Sequence, residues 1–232
     1  MAITKPGNGG EEERAVTEGP RGRGRPQVRS DEETRALIAE AARREFATSG
    51  YAATSMESVA RRAGVSTKTL YRLIPNKTAL FEAMVTDRID RFVSIVDLRA
   101  CKGEGIEQAL TEALSICAEL MLDGEVIAVQ RMILAESDRI PDIAETFYHK
   151  AIRRTEETLA RWLLTQQKRG RIKLDDATSA AGMLLGMLTF QPQRAVMFGH
   201  QPPPTTEERE QRARACARLF LEGTKIDGAA SP

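Results

Sequence analysis

One glycine-punctuated stretch, residues 50–80, constrains the fold more than any other part of this chain. Within its sequence, GYAATSMESVARRAGVSTKTLYRLIPNKTAL, Gly64 follows a short helical run and Ser66 comes almost directly after it. Glycine tolerates the positive φ at which a helix often ends, and a serine hydroxyl caps the free amides of the next helix. The spacing predicts two short helices joined by a tight turn, the second spanning Thr67 to Leu73.

Two helices set at a wide angle by so short a turn form a helix-turn-helix, the geometry that lays its second helix in the major groove of DNA. We place this motif at about residues 54–73. The apolar positions that would lock its helices together are Val59, Ala60, Val65 and Leu70. The hydrogen-bonding and cationic groups left on the outside of the second helix are Thr67, Lys68, Tyr71 and Arg72.

The same region resembles the tetracycline-repressor (TetR) family of one-component regulators. The matching residues, between about Ser30 and Arg91, are Phe46, Gly50-Tyr51, Thr54, Val59-Ala60, Ala63-Gly64-Val65-Ser66, Thr69-Leu70-Tyr71 and Asn76-Lys77. The chain departs from the family at Leu73-Ile74, where His-Phe is frequent, and at Lys68, where a glycine often stands. Lys68 adds a cation on the predicted DNA-facing side, so the operator sequence cannot be copied from relatives.

This resemblance and the side-chain chemistry together predict the DNA contacts. Lys68 and Arg72 lie where a cation could bind guanine, and Thr67 where a threonine could meet a thymine methyl. The resemblance implies that Tyr71 donates to a phosphate. Lys77 and Thr54, at predicted helix N-termini, are expected to clamp phosphates. The full predicted set is Arg23, Arg25, Thr54, Ser55, Ser66, Thr67, Lys68, Thr69, Tyr71, Arg72 and Lys77.

The net charge of only +1 conceals an asymmetry along the chain. Residues 20–80 contain 12 cations and 6 acids, which gives 12 − 6 = +6 and leaves 1 − 6 = −5 for the remainder. A basic N-terminal module on an acidic body is typical of a protein that binds phosphates at one end. A merely solvated charge pattern is the alternative interpretation.

Residues 1–29 are rich in Gly, Pro, Glu and Arg and nearly free of large apolar side chains, so we predict a disordered basic tail. Its Arg-Gly-Arg-Pro sequence at residues 23–26 resembles an AT-hook. The arginines Arg23 and Arg25 could enter the narrow minor groove of A·T-rich DNA. A basic arm that only increases solubility is the alternative.

Helical spacing continues beyond the tail, with no alternating strand pattern. Ser30 should cap the first helix and Gly50 should end it, while Thr54 and Glu57 suggest a capping box for the second helix. A fourth helix should run from Lys77 towards Val96. Five more segments follow: Ile106 to Leu122, Glu125 to Ser137, Pro141 to Lys168, Asp175 to Phe198 and Thr205 to Glu222.

We therefore predict an all-α fold of about nine helices, as in TetR-like proteins. The predicted domains are a head at residues 30–92, holding the three-helix DNA-binding unit, and a body at residues 93–232. The resemblance gives the body two roles, effector binding and dimerisation. The segments Arg131 to Glu136, Ile140 to Ala144 and Phe147-Tyr148 also resemble the AefR-type C-terminal domain found in part of the family.

TetR-like regulators bind small effectors between their central helices, so the resemblance implies an effector pocket in the body. Methionines and aromatic rings line adaptable apolar cavities well, although ordinary core packing is the alternative for each of them. The predicted pocket residues are Met121, Gln130, Met132, Phe147, Tyr148, Trp162, Met183, Met187 and Phe190, with His149 as a further polar anchor.

The last two segments of the body would pair with their symmetry mates as a four-helix bundle, as they do in the family. Two-fold pairing also sets two recognition helices at the spacing of successive major grooves, about 34 Å. The predicted interface residues are Leu184, Leu185, Leu188, Leu219 and Phe220. The predicted partners are thus double-stranded operator DNA, a small-molecule effector and a second copy of the chain. An intramolecular helix pair is the alternative.

Other functions find less support in the sequence. The chain has 2 histidines and no HExxH, phosphate-loop or Gly-x-Ser-x-Gly motif, so we expect no enzyme, cofactor or metal site. No apolar run approaches the ~20 residues that cross a bilayer, and no signal peptide is apparent, so we expect a cytoplasmic protein. A helical enzyme or carrier with a borrowed helix-turn-helix, and a thiol sensor using Cys101 or Cys117, remain as alternatives.

Overall fold

The computed structural model describes residues 29–99 and 105–224, and all regular structure in these ranges is helical. The predicted tail contacts of Arg23 and Arg25, and Cys101, lie outside the described residues. The helices are α1 (Asp31–Ala53), α2 (Met56–Ala63), α3 (Thr67–Leu73), α4 (Lys77–Arg99), α5 (Ile106–Met121), α6 (Gly124–Glu136), α7 (Pro141–Phe147), α8 (Arg154–Lys168), α9 (Ala177–Met197) and α10 (Thr206–Gly223).

The all-α prediction is confirmed, and the predicted helix Pro141 to Lys168 is a composite. A π-helical turn, Tyr148–Arg153, joins α7 to α8 without a loop. If this composite is counted as one helix, residues 29–99 and 105–224 contain nine helices, as expected. Single π-turns inside helices occur frequently at functional sites, because the wider turn re-aims the neighbouring side chains.

The turn between α2 and α3 has the predicted geometry. Gly64 adopts the left-handed conformation, with φ of 67°, and the amide of Val65 donates to the carbonyl of Ala60 at 3.0 Å. Ser66 then caps α3 by accepting a hydrogen bond from the amide of Thr69 at 3.0 Å. A side chain with a Cβ is strained at this φ, so glycine is needed to join the two helices this tightly.

The start of α2 differs from the predicted capping box of Thr54 and Glu57. The cap is Ser55, whose hydroxyl accepts from the amide of Ser58 at 3.0 Å, while the amide of Ser55 donates to the hydroxyl of Ser58 at 3.2 Å. Thr54 is buried and donates its hydroxyl to the carbonyl of Gly50 at 2.7 Å. The helix α1 is kinked at Gly50, where φ is 79°, one turn before Thr54.

Two hydrophobic cores hold the helices together, and one of them crosses the predicted boundary at residues 92 and 93. The first core joins the head helices to Val129, Met132 and Ile133 of α6 and to Ile143 of α7. The second core packs α5, α8, α9 and α10 around the C-terminal part of α4. The helices α6 and α7 therefore share a packed interior with the head helices as well as belonging to the body.

A proline inside α9 ties this helix to α10. Pro192 has no backbone N–H, so the carbonyl of Leu188 lacks its usual partner four residues on. Arg212 of α10 supplies the missing donor: its Nε donates to the Leu188 carbonyl at 2.5 Å and its Nη2 to the Met187 carbonyl at 2.8 Å. The Arg212 guanidinium thereby replaces the hydrogen bond that Pro192 cannot donate, and it connects α9 to α10.

We expect Arg212→Ala to lower the free energy of unfolding by about 2 kcal/mol, because two half-buried carbonyls lose a charged donor. Chemical denaturation followed by circular dichroism measures this change. Arg214→Ala is the matched control, since Arg214 is exposed and pairs only with Glu210 one turn away. That variant should change stability by less than about 0.5 kcal/mol. Equal effects of the two substitutions would contradict the role given to Arg212.

Within residues 29–99 and 105–224, none of the helices is both long and apolar enough to span a bilayer. The same residues contain no group of three or more His, Cys, Asp or Glu side chains arranged to hold a metal ion.

Candidate functional site

The outer face of α3 presents the polar groups that the sequence predicted. Thr67, Lys68 and Arg72 are exposed, whereas Leu70 and Leu73 are buried against the rest of the head. The helix has its apolar side fixed and its hydrogen-bonding side directed to solvent. Such a face has the chemistry required to contact base edges and phosphates.

Arg72 is held in one orientation by a two-bond ion pair. Its Nη1 and Nη2 donate to the two carboxylate oxygens of Asp31, at 2.8 and 2.7 Å. The hydrogen bond from Arg72 lowers the pKa of the Asp31 carboxyl below its usual value. Asp31 comes from the first turn of α1, so α1 helps to orient the end of α3. A similar but longer contact joins the Tyr71 hydroxyl to Glu57, at 3.4 Å.

Two of the predicted phosphate clamps are engaged inside the head instead. Thr54 is buried, so its side chain cannot reach DNA and the prediction is wrong for that hydroxyl. Lys77 is half-buried: its Nζ donates to the carbonyl of Ala52 at 3.1 Å and lies 4.6 Å from the centre of the Tyr51 ring. Partial burial lowers the pKa of the Lys77 ammonium. Lys77 stabilises the packing of α4 on the end of α1. The inward contacts of Thr54 and Lys77 were not evident from their positions in the sequence.

A cavity of about 250 Å³ lies where α4, α5, α6, the π-turn, α8 and α9 meet. Most of its lining is apolar, with Met84, Ile89, Leu120 and Val129 among the contributors. Three predicted pocket residues line it, namely Met121, Gln130 and Phe147. The π-turn contributes Ala151 and Ile152 to the wall.

The other predicted pocket residues do not line this cavity. Some are packed in the hydrophobic cores and others are exposed to solvent. Met132 and Trp162 belong to the two hydrophobic cores, and Met187 packs against the second core. Tyr148 and His149 are exposed on the π-turn. Met183 and Phe190 point outwards from α9. The methionines, Trp162 and Phe190 were predicted from apolar character, which does not distinguish a cavity wall from a packed core or an outer face. Tyr148 and His149 were predicted as polar anchors, and they lie at the surface instead.

The cavity has polar residues that the sequence did not single out. These are Arg43, Arg88, Thr155, Glu156 and Thr189. One signal was available: Arg88 lies four residues after Met84 and therefore on the same face of α4 as an apolar lining residue. Arg43 comes from α1 of the head, so the cavity wall includes a side chain of the DNA-binding unit.

Asp123 connects the two arginines at the start of α6. Its Oδ1 accepts from the amides of Glu125 and Val126, each at 3.1 Å, and so caps α6. The same oxygen lies 3.8 Å from Nη1 of Arg43 and 3.7 Å from Nη2 of Arg88. Arg43 also pairs with Glu40 and Glu125. This charge cluster joins α1, α4 and α6 at the edge of the cavity.

The predicted dimer residues divide into two groups. Leu184, Leu185 and Leu188 are buried within the protomer, so they have no surface left to offer a partner and the prediction is wrong for them. Leu219 is 62% exposed and Phe220 is half-buried on α10. The outward side of α9 instead carries Met183, 71% exposed, and Phe190, 61% exposed. The helix is apolar on most sides, so its composition could not decide which side faces inwards.

The structure gives no support to the thiol-sensor alternative at the cysteines it describes. Cys117 is completely buried in α5, and burial raises the pKa of its thiol to about 12. Cys216 is also buried, and its pKa is raised for the same reason. A thiol in this state holds almost no thiolate near neutral pH and reacts slowly with oxidants.

The helical fold, the capped α2–α3 unit and the polar outer face of α3 define a helix-turn-helix DNA-binding regulator. A family model described as bacterial regulatory proteins, tetR family, matches residues 38–84, and a second, the AefR-like transcriptional repressor C-terminal domain, matches residues 108–223. The chain belongs to the TetR family and is a transcriptional regulator, not an enzyme.

Relatives of known name agree with this assignment. The chain is 30% identical over 154 residues to the HTH-type transcriptional repressor ComR of Escherichia coli (strain K12), covering 65% of this chain and 71% of ComR. A putative TetR-family regulator from Mesorhizobium loti has a similar structure, with a TM-score of 0.73, 28% identity and coverage of 86% of this chain and 100% of the other. The flavonoid-responsive regulator FrrA gives a TM-score of 0.59 and 27% identity, covering 85% and 100% of the two chains.

Proposed function

We propose that the protein is a cytoplasmic, homodimeric repressor that leaves its operator when a small effector fills the cavity. The observation that carries this proposal is the continuous first core, which packs the head against α6 while α6 also lines the cavity. A shift of α6 at the cavity wall would therefore move the head helices that pack against it, because packed interiors transmit displacements. ComR, a relative by sequence, is described as a repressor. FrrA, a relative by structure, is described as responsive to a small molecule, which supports an effector site in the body.

The DNA contacts in this proposal centre on the exposed face of α3. Lys68 and Thr67 stand near the N-terminal end of α3, where a recognition helix meets base edges. Arg72, oriented by Asp31, stands one turn further on. Ser55 and Ser66 are exposed at the N-terminal ends of α2 and α3, which would approach the sugar-phosphate backbone of the DNA. Thr69 is half-buried beside Ser66.

Dimerisation supplies the second recognition helix. The outward residues Met183, Phe190 and Leu219 provide apolar surface on α9 and α10 for a symmetry-related copy. A two-fold arrangement would bring the two α3 helices to successive major grooves, about 34 Å apart. The operator should accordingly be an inverted repeat.

Release requires the effector to bind the DNA-incompetent arrangement more tightly than the competent one. A coupling free energy of about 1–3 kcal/mol is typical, which corresponds to roughly 5- to 150-fold in operator affinity. The α1–α6 contact around Arg43 and Asp123 is the joint at which this coupling would act, because it connects the head to a cavity-lining helix.

The experiment that tests the proposal begins with selection of duplexes from a random pool by the full-length protein. We expect an inverted repeat to be enriched, and Lys68→Ala to weaken its binding by about 1–3 kcal/mol, since a base contact from Lys is worth that much. Fluorescence anisotropy at fixed salt measures the change. Lys168→Ala, at an exposed position in α8, is the control and should bind as the wild type does. Failure to enrich any duplex at moderate salt would refute the proposed function.

A further inference from the structure

The cavity wall contains a cation whose hydrogen bonds are incomplete. Arg43 and Arg88 both line it, and Glu156 is the carboxylate among its lining residues. Arg43 is neutralised by direct ion pairs with Glu40 and Glu125. Arg88 has a weaker arrangement, since its nearest carboxylate oxygen, on Asp123, lies 3.7 Å away and is already shared with two backbone amides. A distance of 3.7 Å is too long for a hydrogen bond.

The guanidinium of Arg88 also has a donor without an acceptor. Its Nε is enclosed by protein atoms and has no hydrogen-bond partner among the described residues. An enclosed N–H without an acceptor is unfavourable, and a planar guanidinium is well shaped to bind a carboxylate through two parallel hydrogen bonds. Desolvation lowers the pKa of Arg88, and Asp123 only partly opposes this effect. Within the described part of the chain, Arg88 therefore lacks an acceptor at hydrogen-bond distance and would gain from one at the cavity wall.

The other lining residues determine which chemical groups a ligand bound beside Arg88 should have. The side chains of Met84, Ile89, Leu120, Met121 and Phe147 offer dispersion contacts and little hydrogen bonding. The side-chain oxygen of Gln130 is already engaged, because it accepts a hydrogen bond from Nε2 of Gln193 at 2.6 Å. A volume of about 250 Å³ lies just below the usual range for small-molecule sites, about 300–1,000 Å³, so the ligand must be small. The site suits a compact apolar molecule with one charged group.

We propose that the effector is a small apolar carboxylic acid, bound as its anion, whose carboxylate pairs with Arg88. This inference rests on the proposed effector site and specifies its ligand class. The carboxylate would take the place of Asp123 as the acceptor nearest Arg88. Because Asp123 caps α6 and also faces Arg43 of α1, occupation of Arg88 changes the charge balance at the joint between head and body.

The test compares carboxylic acids with their uncharged primary amides on the full-length protein. The probes are octanoate, 4-phenylbutyrate and 2-naphthoate, each paired with its amide, and calorimetry gives the affinities. We expect at least one acid to bind the wild type about tenfold or more tightly than its amide, a difference of 1.4 kcal/mol. Arg88→Gln should remove this preference, while the amide should bind as before. If no acid binds, or if every acid and its amide bind equally, the proposal is wrong.

Arg91→Gln is the matched control for Arg88→Gln. Arg91 lies on the same helix three residues further on, is exposed, and pairs with Asp87 away from this cavity. Arg91→Gln should keep the acid preference. Should Arg88→Gln fail to fold, the acid-to-amide ratio of the wild type still decides the matter. Operator binding without any probe is measured on the same samples, so an intact operator affinity with no acid preference rejects the ligand class alone.

Discussion

Replacing Met183 and Leu219 together by glutamate is expected to turn the protein into a monomer and to weaken operator binding by about 100-fold or more. Both side chains are more than half exposed on the last two helices of the protomer, at 71% and 62%. A carboxylate at each position would have to lose its hydration if a second copy packed there. Without that copy, the second recognition helix no longer benefits from the high effective concentration that a linked pair provides.

Sedimentation velocity measures the oligomeric state, and anisotropy with the selected duplex measures the affinity. Leu134→Glu is the control, because Leu134 is equally exposed, at 69%, but lies on α6. That variant should stay dimeric. A dimeric Met183→Glu/Leu219→Glu protein would show that the interface lies on another surface. A monomeric wild type would remove the basis for two-fold operator binding altogether.

The second large effect is expected at the centre of the first core. Phe81→Ala should reduce the free energy of unfolding by about 3–5 kcal/mol, the usual loss for a fully buried phenylalanine. Phe81 is completely buried, and its ring meets those of Phe46 and Tyr51 edge-on, with centres 5.7 and 6.1 Å away. Those two rings are stacked on each other at 5.4 Å, so removal of the third leaves a cavity that the pair cannot easily fill.

Guanidinium denaturation followed by tryptophan fluorescence and by circular dichroism measures this loss. Phe198→Ala is the matched control, since that ring is 79% exposed, and it should change stability by less than about 0.5 kcal/mol. We also expect Phe81→Ala to lose operator binding at temperatures where the wild type retains it. A loss below about 1 kcal/mol would mean that the three rings do not form the centre of the head.

The parts of the fold that were predictable from sequence are those fixed by local chemistry. Ser30 and Ser66 cap helices at positions where a hydroxyl precedes a helical pattern. Gly64 turns the chain at a positive φ, which strains a residue that has a Cβ. These signals act over three or four residues, so a single sequence contains all of the information. The order and approximate ends of the helices follow from them.

The parts that were not predictable depend on which helices meet. On α9, Leu184 and Met183 are adjacent and both apolar, yet one is completely buried and the other is 71% exposed. Thr54 faces inwards and donates to the carbonyl of Gly50, which the capping pattern did not reveal. The approach of Arg43 and Arg88 to Asp123 brings together residues from three helices distant in sequence. Only the packed arrangement brings such groups together.

The first core has a consequence for engineering hybrid regulators from this protein. Val129 and Met132 of α6 and Ile143 of α7 complete the interior beneath the DNA-binding helices. A graft that exchanged only residues 30–92 for those of a relative would therefore set foreign apolar surfaces against each other at that junction. The smallest transferable piece should include α6 and α7 as well, so the DNA-binding head of this chain cannot be exchanged as a module on its own.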